Sequence, residues 1–251
     1  MLDHAATPSW TSRLIVGSRT GMTPDQLPRW LADSYRVFHD RLTDEAYPCF
    51  FGTQAERRRE LYYSFVDGNR DDLPGTLSTF ITLADRHAQS RHNLAVFFKP
   101  RPASHQEHRQ ELWDTLQFLH DADPEASAQQ IADPSDYRWE FTFRGTSFFV
   151  VGLSPSYERH RSRNMGPGLV LLFQPRRVFI DARTGAPIDQ RHRDVVRERL
   201  RRWDGIEPHP DLGAYSDPAN LEWRQYFLSD DSMPERGRCP FRSRAGGRRS
   251  E

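Results

Sequence analysis

Apolar and polar positions along the chain show two kinds of pattern, one typical of helices and one typical of strands. Apolar residues recur at helical spacing in four segments, which predicts amphipathic helices. These segments are residues 30–42, 72–84, 104–120 and 190–203. Short aromatic and branched runs between them predict strands, and two of these runs flank a tight Arg144-Gly145 turn as a hairpin. The predicted strands are residues 61–66, 94–98, 139–143, 148–153, 169–173 and 178–180.

This order of elements predicts a mixed α+β fold in a single domain, with a central, largely antiparallel sheet flanked by helices. Glycine and proline residues interrupt residues 1–27, which indicates an irregular N-terminal arm. Residues 28–242 contain no linker or repeat and are expected to form the domain, and residues 243–251 are expected to be a disordered tail. A short helix is expected at 54–60, with Thr53 as its N-cap and Glu56 completing a capping box.

The composition narrows the function classes. Aromatic residues make up 12% of the chain and can supply a core although the total hydrophobic content is only 36%. The 35 basic and 35 acidic residues cancel, which argues against a nucleic-acid partner. Two cysteines are too few for a disulfide framework and fit a reducing cytosol, and no apolar run approaches the roughly 20 residues of a membrane span. We therefore expect a cytoplasmic protein that does not bind membranes.

A basic loop follows the predicted hairpin. Residues 159–164 read Arg-His-Arg-Ser-Arg-Asn, between two predicted strands. One interpretation is a solvated connection; the other is a cationic clamp for the carboxylates of a cofactor or substrate, because a guanidinium fork matches a carboxylate. On alternating positions of an extended loop, Arg159, Arg161 and Arg163 would face one side.

Familiar catalytic motifs are missing from the sequence. It contains no Walker A loop, no G-x-G-x-x-G after a strand, and no H-E-x-x-H, G-x-S-x-G or C-x-x-C pattern. Ser154 follows the hairpin without an assignable base, so nucleophilic catalysis by this serine is not indicated. His120 lies beside an apolar helix stripe, where it is either a core histidine or a metal ligand.

Cys49 has the most suggestive surroundings of the two cysteines. It lies between Pro48 and two phenylalanines, just before a predicted helix, and a helix N-terminus favours the thiolate. A thiolate in an aromatic shell suits the proximal side of a haem iron; a buried structural cysteine is the alternative. Cys239 and His209 suggest a metal site as a further possibility.

Several ordered motifs together resemble the YqcI/YcgG family, across most of the chain. They are Tyr47-Pro48-Cys49-Phe50-Phe51-Gly52, Phe97-Phe98-Lys99-Pro100, the residues from Trp113 to Asp123, Trp139-Glu140-Phe141, the stretch 148–155 with its Arg-Ser-Arg-Asn loop, His209-Pro210, and Glu222-Trp223. Characterised relatives in that family are haem proteins that N-hydroxylate guanidine groups in natural-product pathways. The chain departs from them at Phe50, where they usually have proline, and at Ser154, where they often have histidine.

The resemblance implies a haem b cofactor, dioxygen and an electron donor, with a small amine or guanidine as substrate and a redox partner as a possible electron source. From the chemistry of the residues we expect Cys49 as the proximal ligand of that haem, with His120 or His209 as alternatives, and Arg159, Arg161, Arg163 and Asn164 as contacts of the cofactor. The expected activity is haem-dependent monooxygenation at nitrogen. Two alternatives stay open, a haem-binding sensor or carrier without turnover and a non-haem metalloenzyme that uses Cys49, Cys239 and His209.

Overall fold

The computed structural model describes residues 10–87, 90–128, 131–180, 187, 189–214 and 217–243. Within them the chain forms a short hairpin, a five-stranded sheet and five α-helices. The hairpin consists of β1 (Ile15–Val16) and β2 (Arg19–Thr20). The helices are α1 (Arg29–Thr43), α2 (Phe50–Arg57), α3 (Leu73–Arg86), α4 (His105–Ala122) and α5 (Gln190–Asp204). The strands of the sheet are β3 (Leu61–Val66), β4 (Asn93–Phe98), β5 (Phe141–Phe143), β6 (Thr146–Leu153) and β7 (Val170–Pro175).

The sheet has the strand order β3-β4-β7-β6-β5. Its first pair, β3 and β4, is parallel, and the other three pairs are antiparallel. A parallel pair needs a crossover connection, and α3 supplies it between β3 and β4. The predicted α+β fold with a largely antiparallel sheet is confirmed.

Two hydrophobic layers cover the two faces of the sheet. On β4, Leu94, Val96 and Phe98 belong to the layer under α3 and α4, whereas Ala95 and Phe97 belong to the layer under α1 and the N-terminal hairpin. Every residue of β4 is buried, because successive side chains of a strand point to opposite faces and both faces are covered. This arrangement explains why the β4 sequence is a continuous apolar run.

Helix ends follow local chemistry where the sequence supplies it. The Ser104 side chain accepts a hydrogen bond from the backbone N–H of Glu107, and the Glu107 carboxylate accepts one from the backbone N–H of Ser104, so α4 begins with a complete capping box. At the other end of the chain, Gly205 terminates α5 with a φ of +73°, a left-handed conformation that glycine adopts without a Cβ clash.

Gly152 allows the C-terminal segment to cross β6. Its backbone N–H donates to the carbonyl of Tyr226 at 2.7 Å. A Cβ at this position would lie 2.5 Å from Cδ2 of Phe227 and 2.8 Å from Cδ1 of Leu112. The absence of a side chain therefore lets residues 226–228 pack directly on the sheet, and these residues help to form the layer under α4.

The described part of the predicted arm packs on β3. Leu14 forms a parallel bridge with Tyr63, and both Leu14 and Ile15 are fully buried. Arg13 is buried as well and donates to both carboxylate oxygens of Glu56, at 2.8 and 2.9 Å. Residues 10–20 are thus integrated into the domain. Of the predicted tail at 243–251, only Ser243 lies among the described residues.

Two predicted elements are wrong. The second helix begins at Phe50 and not at residue 54, so Thr53 lies inside it and donates to the carbonyl of Leu42 instead of capping. Glu56 faces Arg13 in the interior, which leaves it unavailable for a capping box. The strand predicted at 178–180 is a 3₁₀ helix (Arg176–Phe179), because the chain turns away from the sheet at Pro175.

Candidate functional site

A cavity of about 380 Å³ lies between the sheet and α5. Its floor consists of side chains on the sheet face opposite α4, namely Phe149 and Val151 of β6 and Leu172 of β7. Val196 and Leu200 of α5 line it from the other side. This volume falls within the roughly 300–1,000 Å³ typical of pockets that bind small molecules and cofactors.

Cys49 lies at the wall of this cavity as the N-cap residue of α2. Burial raises the pKa of its thiol, and the opposing influence of the backbone N–H groups of Gly52 and Phe51 is smaller. The N–H groups of the helix N-terminus do favour the thiolate, as predicted. Desolvation favours the neutral thiol more strongly, so the net effect is a raised pKa. Sγ lies only 3.7 Å from the position a Cβ on Gly52 would take, so the first turn of α2 leaves room for the sulfur.

The basic loop is not extended, which corrects the prediction that its arginines face one side. Residues Arg161–Arg163 form a 3₁₀ turn, because Asp204 accepts hydrogen bonds from the N–H and hydroxyl of Ser162 and draws the loop towards the end of α5. The loop side chains therefore diverge. Only Arg163 among its arginines lines the cavity, together with His160 and Ser162.

The other three predicted contacts of the loop have different surroundings. Arg159 is exposed and donates to the carbonyl of Asp231 at 3.2 Å. Arg161 is also exposed and donates to the carbonyl of Trp203. Asn164 donates to the carbonyls of residues 155 and 157 and accepts a hydrogen bond from Arg41. The structure brings Cys49 together with Arg163, and leaves Arg159, Arg161 and Asn164 outside the cavity wall.

The end of the cavity near Arg163 is polar. The Arg163 guanidinium is buried and donates to the carbonyl of Gln225 at 3.0 Å, and its burial lowers its pKa. His160 and His209 also line this end, with their ring centres 5.3 Å apart. Burial, and then the neighbouring His160 and Arg163, lower the pKa of His209 to about 4, so its imidazole is neutral at pH 7.

Further guanidinium groups surround the cavity. They belong to Arg58, Arg91, Arg193 and Arg197. Arg91 lies over the ring of Phe51, two residues after Cys49, at 5.7 Å from the ring centre. Nε of Arg193 is buried and has no hydrogen-bond acceptor among the described residues. A ligand that carries carboxylates would supply such acceptors.

A buried acidic group at another part of the cavity escaped sequence analysis. Arg176 bridges two carboxylates, with its Nε 2.5 Å from Glu140 and its Nη2 on Glu222. Tyr226 donates to the second oxygen of Glu222 at 3.2 Å. Burial raises the pKa of Glu222 to about 7, since one guanidinium does not fully compensate two carboxylates. No local sequence pattern predicts this cluster, because its residues are distant in sequence.

Replacing Glu222 with glutamine is expected to change the pH dependence of stability. The pKa of Glu222 rises from 4.5 to about 7 on folding, so the native state binds a proton that the unfolded state has lost. The contribution of this carboxyl group to the free energy of unfolding is fully present below pH 4.5 and is lost as pH rises through 7. The free energy of unfolding of the Glu222→Gln variant should therefore increase relative to that of the wild type across this range, by roughly 3 kcal/mol at pH 8. Urea unfolding at pH 5, 6, 7 and 8 would measure the difference.

Glu158→Gln, at an exposed position, is the matched control and should follow the wild-type pH profile. If the free energy of unfolding of Glu222→Gln falls from pH 5 to pH 8 as steeply as that of the wild type, Glu222 is not the titrating group.

His120 lies on the other side of the sheet. It is buried on α4, and its ring packs against Phe241 at 4.9 Å. Cys239 packs against the same layer, and its burial raises its pKa to about 12. Cys49 and His209 line the cavity, but no group of three or more His, Cys, Asp or Glu side chains suited to hold a metal ion occurs among the described residues.

Ser154 has a histidine partner that sequence reasoning missed. Its Oγ lies 2.8 Å from Nδ1 of His108, which α4 places there from 46 residues away. Burial lowers the pKa of His108, as a base would require, yet Ser154 is fully buried and its Oγ also bonds to Ser156. The Ser154 hydroxyl is therefore closed to a substrate, and its bond to His108 holds the end of β6 against α4.

None of the helices in the described residues combines the length and apolar character needed to cross a bilayer.

Comparison with known proteins adds a family to this geometry. The sequence model of the YqcI/YcgG family matches residues 38–242. Protein YqcI of Bacillus subtilis (strain 168), described as uncharacterized, is 29% identical over 229 residues, which cover 86% of this chain and 89% of its own. Protein YcgG of the same organism, described in the same way, is 30% identical over 86% of this chain and 90% of its own.

A third relative carries a functional name. A Streptomyces lavendulae protein named provisionally as an N(omega)-hydroxy-L-arginine synthase, DcsA, is 30% identical over 228 residues. The alignment covers 86% of both chains. No solved structure matches the chain.

Proposed function

The chain belongs to the YqcI/YcgG family, and we propose that it is a haem-dependent monooxygenase that hydroxylates a nitrogen of a small amine or guanidine compound. The name of the DcsA relative supports nitrogen hydroxylation as the class of reaction, with arginine as the substrate in that protein. At 30% identity the relative leaves the substrate of this chain open within the amine and guanidine class.

One observation carries the proposal, namely that a single cavity combines a thiol, apolar walls and guanidinium groups. These features suit a haem b with a thiolate ligand. Cys49 would ligate the iron, Phe149, Val151 and Leu172 would contact the macrocycle, and Arg163 with Arg193 would meet its carboxylates. Because burial raises the pKa of the Cys49 thiol, binding of the iron would have to displace the thiol proton.

The bound haem would supply the activation of dioxygen, helped by a thiolate ligand that favours cleavage of the O–O bond. In the overall reaction one oxygen atom enters an N–H bond of the substrate to give N–OH. The other oxygen atom leaves as water, which takes up two electrons and two protons from outside. The apolar floor of the cavity excludes water from the reacting atoms.

The protein also contains groups that suit the substrate. Glu222 lines the cavity, and its carboxylate, when ionised, would attract a protonated amine or a guanidinium. His160 and His209 line the polar end and have hydroxyl partners, Ser232 and Ser229, at 3.0 Å each. Both ring nitrogens of His209 are engaged, because Nδ1 also accepts a hydrogen bond from the backbone N–H of Asp211 at 3.1 Å, so this histidine contributes a polar wall and not a free base.

The test is an absorbance spectrum of protein expressed with a haem precursor, followed by assays with arginine and simple guanidines. We expect a Soret band at a haem stoichiometry near one, and an N-hydroxylated product when a chemical reductant and dioxygen are supplied. No Soret band, with added haem failing to bind, would overturn the proposal. Haem binding with no oxygen consumption for any amine or guanidine would favour a sensor or carrier instead.

A further inference from the structure

A second cleft, of about 570 Å³, opens on the surface next to the wall that carries Cys49. We call it the basic cleft, and its lining residues are Arg41, Ala46, Arg161, Asn164, Arg199, Arg202 and Trp203. It is therefore formed by α1 with the 44–49 segment that follows it, by the basic loop and by α5, three parts of the chain that meet only in the folded protein.

Three of the four arginines in the basic cleft hydrogen-bond only to neutral oxygens. Arg41 donates to Oδ1 and the carbonyl of Asn164, Arg161 to the carbonyl of Trp203, and Arg199 to the carbonyls of residues 45 and 47. In the part of the chain that the structure describes, no carboxylate forms an ion pair with any of the three. Arg202 is paired with Glu198 at 2.9 Å. The cleft is thus a local excess of positive charge on a chain whose charges cancel overall.

The basic cleft shares its wall with the cavity. Arg199 holds the carbonyl of Tyr47 at 2.7 Å, two residues before Cys49. Trp203 packs edge-on against the Tyr47 ring at 5.6 Å, and the Tyr47 hydroxyl donates to the carbonyl of Ser162 at 3.0 Å. Tyr47 also lines the cavity, so the basic cleft and the cavity share this residue.

We propose that the basic cleft is the docking surface for an acidic electron-transfer protein with a one-electron centre, such as an iron–sulfur or flavin protein. The inference rests on the proposed function, because each turnover needs two electrons and the sequence has no dinucleotide-binding motif. The reduced partner would be oxidised by one electron in each of two encounters. Those two electrons, with two protons and O₂, balance the formation of N–OH and water.

Charge and composition select this partner. Guanidinium groups held in place by carbonyls, around the partly buried Trp203, resemble the arginine- and aromatic-rich centres of protein interfaces. Uncompensated positive charge attracts an acidic protein and speeds its association, and the effect weakens with salt because the Debye length shrinks. Docking here would bring the donor close to the side of the cavity that carries the ligand.

The experiment measures binding of two acidic probes, a plant-type [2Fe–2S] ferredoxin and a flavodoxin, to the purified full chain by calorimetry. The test variant is Arg41→Glu/Arg161→Glu, and the matched control Arg19→Glu/Arg86→Glu makes the same charge change at exposed positions on β2 and α3. We expect the test variant to weaken binding of at least one probe by more than 10-fold at 50 mM salt, while the control changes it less than 3-fold. Thermal unfolding confirms that both variants are folded.

A second measurement uses haem-loaded protein and follows its reduction by the same donors. The rate with the protein donor should fall more than 10-fold in the test variant, whereas the rate with dithionite, which needs no docking, should not change. Equal binding by the test variant and the control, binding insensitive to salt, or no binding of either probe would each overturn the proposal. Binding of inorganic phosphate alone would overturn it too, and assign the cleft to a small anion. Failure of the proposed function is separate, because it is registered by the missing Soret band and the binding assay needs no haem.

Discussion

Replacing Cys49 with alanine is expected to lower formation of the N-hydroxylated product by more than about 100-fold. This loss exceeds the roughly 10–100-fold typical of residues that only orient a metal ligand. The thiol lies in the cavity wall with the N–H groups of Phe51 and Gly52 directed at it, and alanine offers no atom that can ligate iron. Product assays and the absorbance spectrum of the ferrous–CO complex would measure the effect, and the spectrum should lose the signature of a thiolate ligand.

Cys239→Ala is the matched control for this experiment. Cys239 is the other free cysteine, and it packs against the layer under α4 instead of the cavity. Its replacement should leave both the spectrum and the product yield unchanged. A ferrous–CO spectrum that is the same in Cys49→Ala and in the wild type would exclude the thiolate ligand, and the ligand would then be sought at His209, which lines the same cavity.

Replacing Glu56 with alanine is expected to lower the free energy of unfolding by about 3–5 kcal/mol, the usual result of removing one partner of a buried ion pair. The variant leaves the Arg13 guanidinium buried without its carboxylate. It also removes the acceptor of the Tyr63 and Tyr35 hydroxyls. Urea denaturation at pH 7 would measure the loss. If the protein binds haem as proposed, reduced haem retention is a second expected result, because α2 follows Cys49 directly.

Glu198→Ala provides the comparison, since Glu198 pairs with Arg201 and Arg202 on the exposed surface of α5. Exposed pairs contribute about 0–1 kcal/mol, so this variant should be close to the wild type. The pH dependence gives a further check. Burial opposes ionisation of Glu56, but hydrogen bonds from Arg13 and Tyr63 outweigh it and hold its pKa below the ordinary value.

Because the folded pKa of Glu56 is depressed, its contribution to stability is present above the unfolded pKa and is lost as pH falls through the folded value. The free-energy difference between wild type and Glu56→Ala should therefore shrink in acid, below about pH 4. A difference of less than 1 kcal/mol at pH 7 would contradict the view that this network anchors α2 to the N-terminal segment.

Features with a local cause were predictable. The Ser104 capping box needs only residues 104 and 107, and the β5–β6 hairpin needs only its Arg144-Gly145 turn. The place of Cys49 before a helix was also readable, although the helix begins four residues earlier than expected. The conformation of the basic loop could not be predicted from local sequence, because Asp204, 42 residues after Ser162, imposes the 3₁₀ turn.

Sites formed by residues that are distant in sequence could not be predicted. Glu222 meets Arg176 across 46 positions, and Ser154 meets His108 across 46 as well. Neither pair has a spacing that a sequence pattern can reveal. Their pKa shifts depend on burial, which exists only after the sheet and helices have packed.

The sequence by itself determined the order of helices and strands, the α+β class and the presence of a cysteine at a helix start, because periodicity, caps and turns act within a few residues. Only the tertiary structure decided which side chains share the cavity. In the folded protein Cys49, Arg163 and Glu222 line the cavity, and Arg161 lines the basic cleft. His120 lies on the opposite face of the sheet, on α4. The physical reason is that burial and charge compensation depend on contacts between distant segments, which local spacing does not encode.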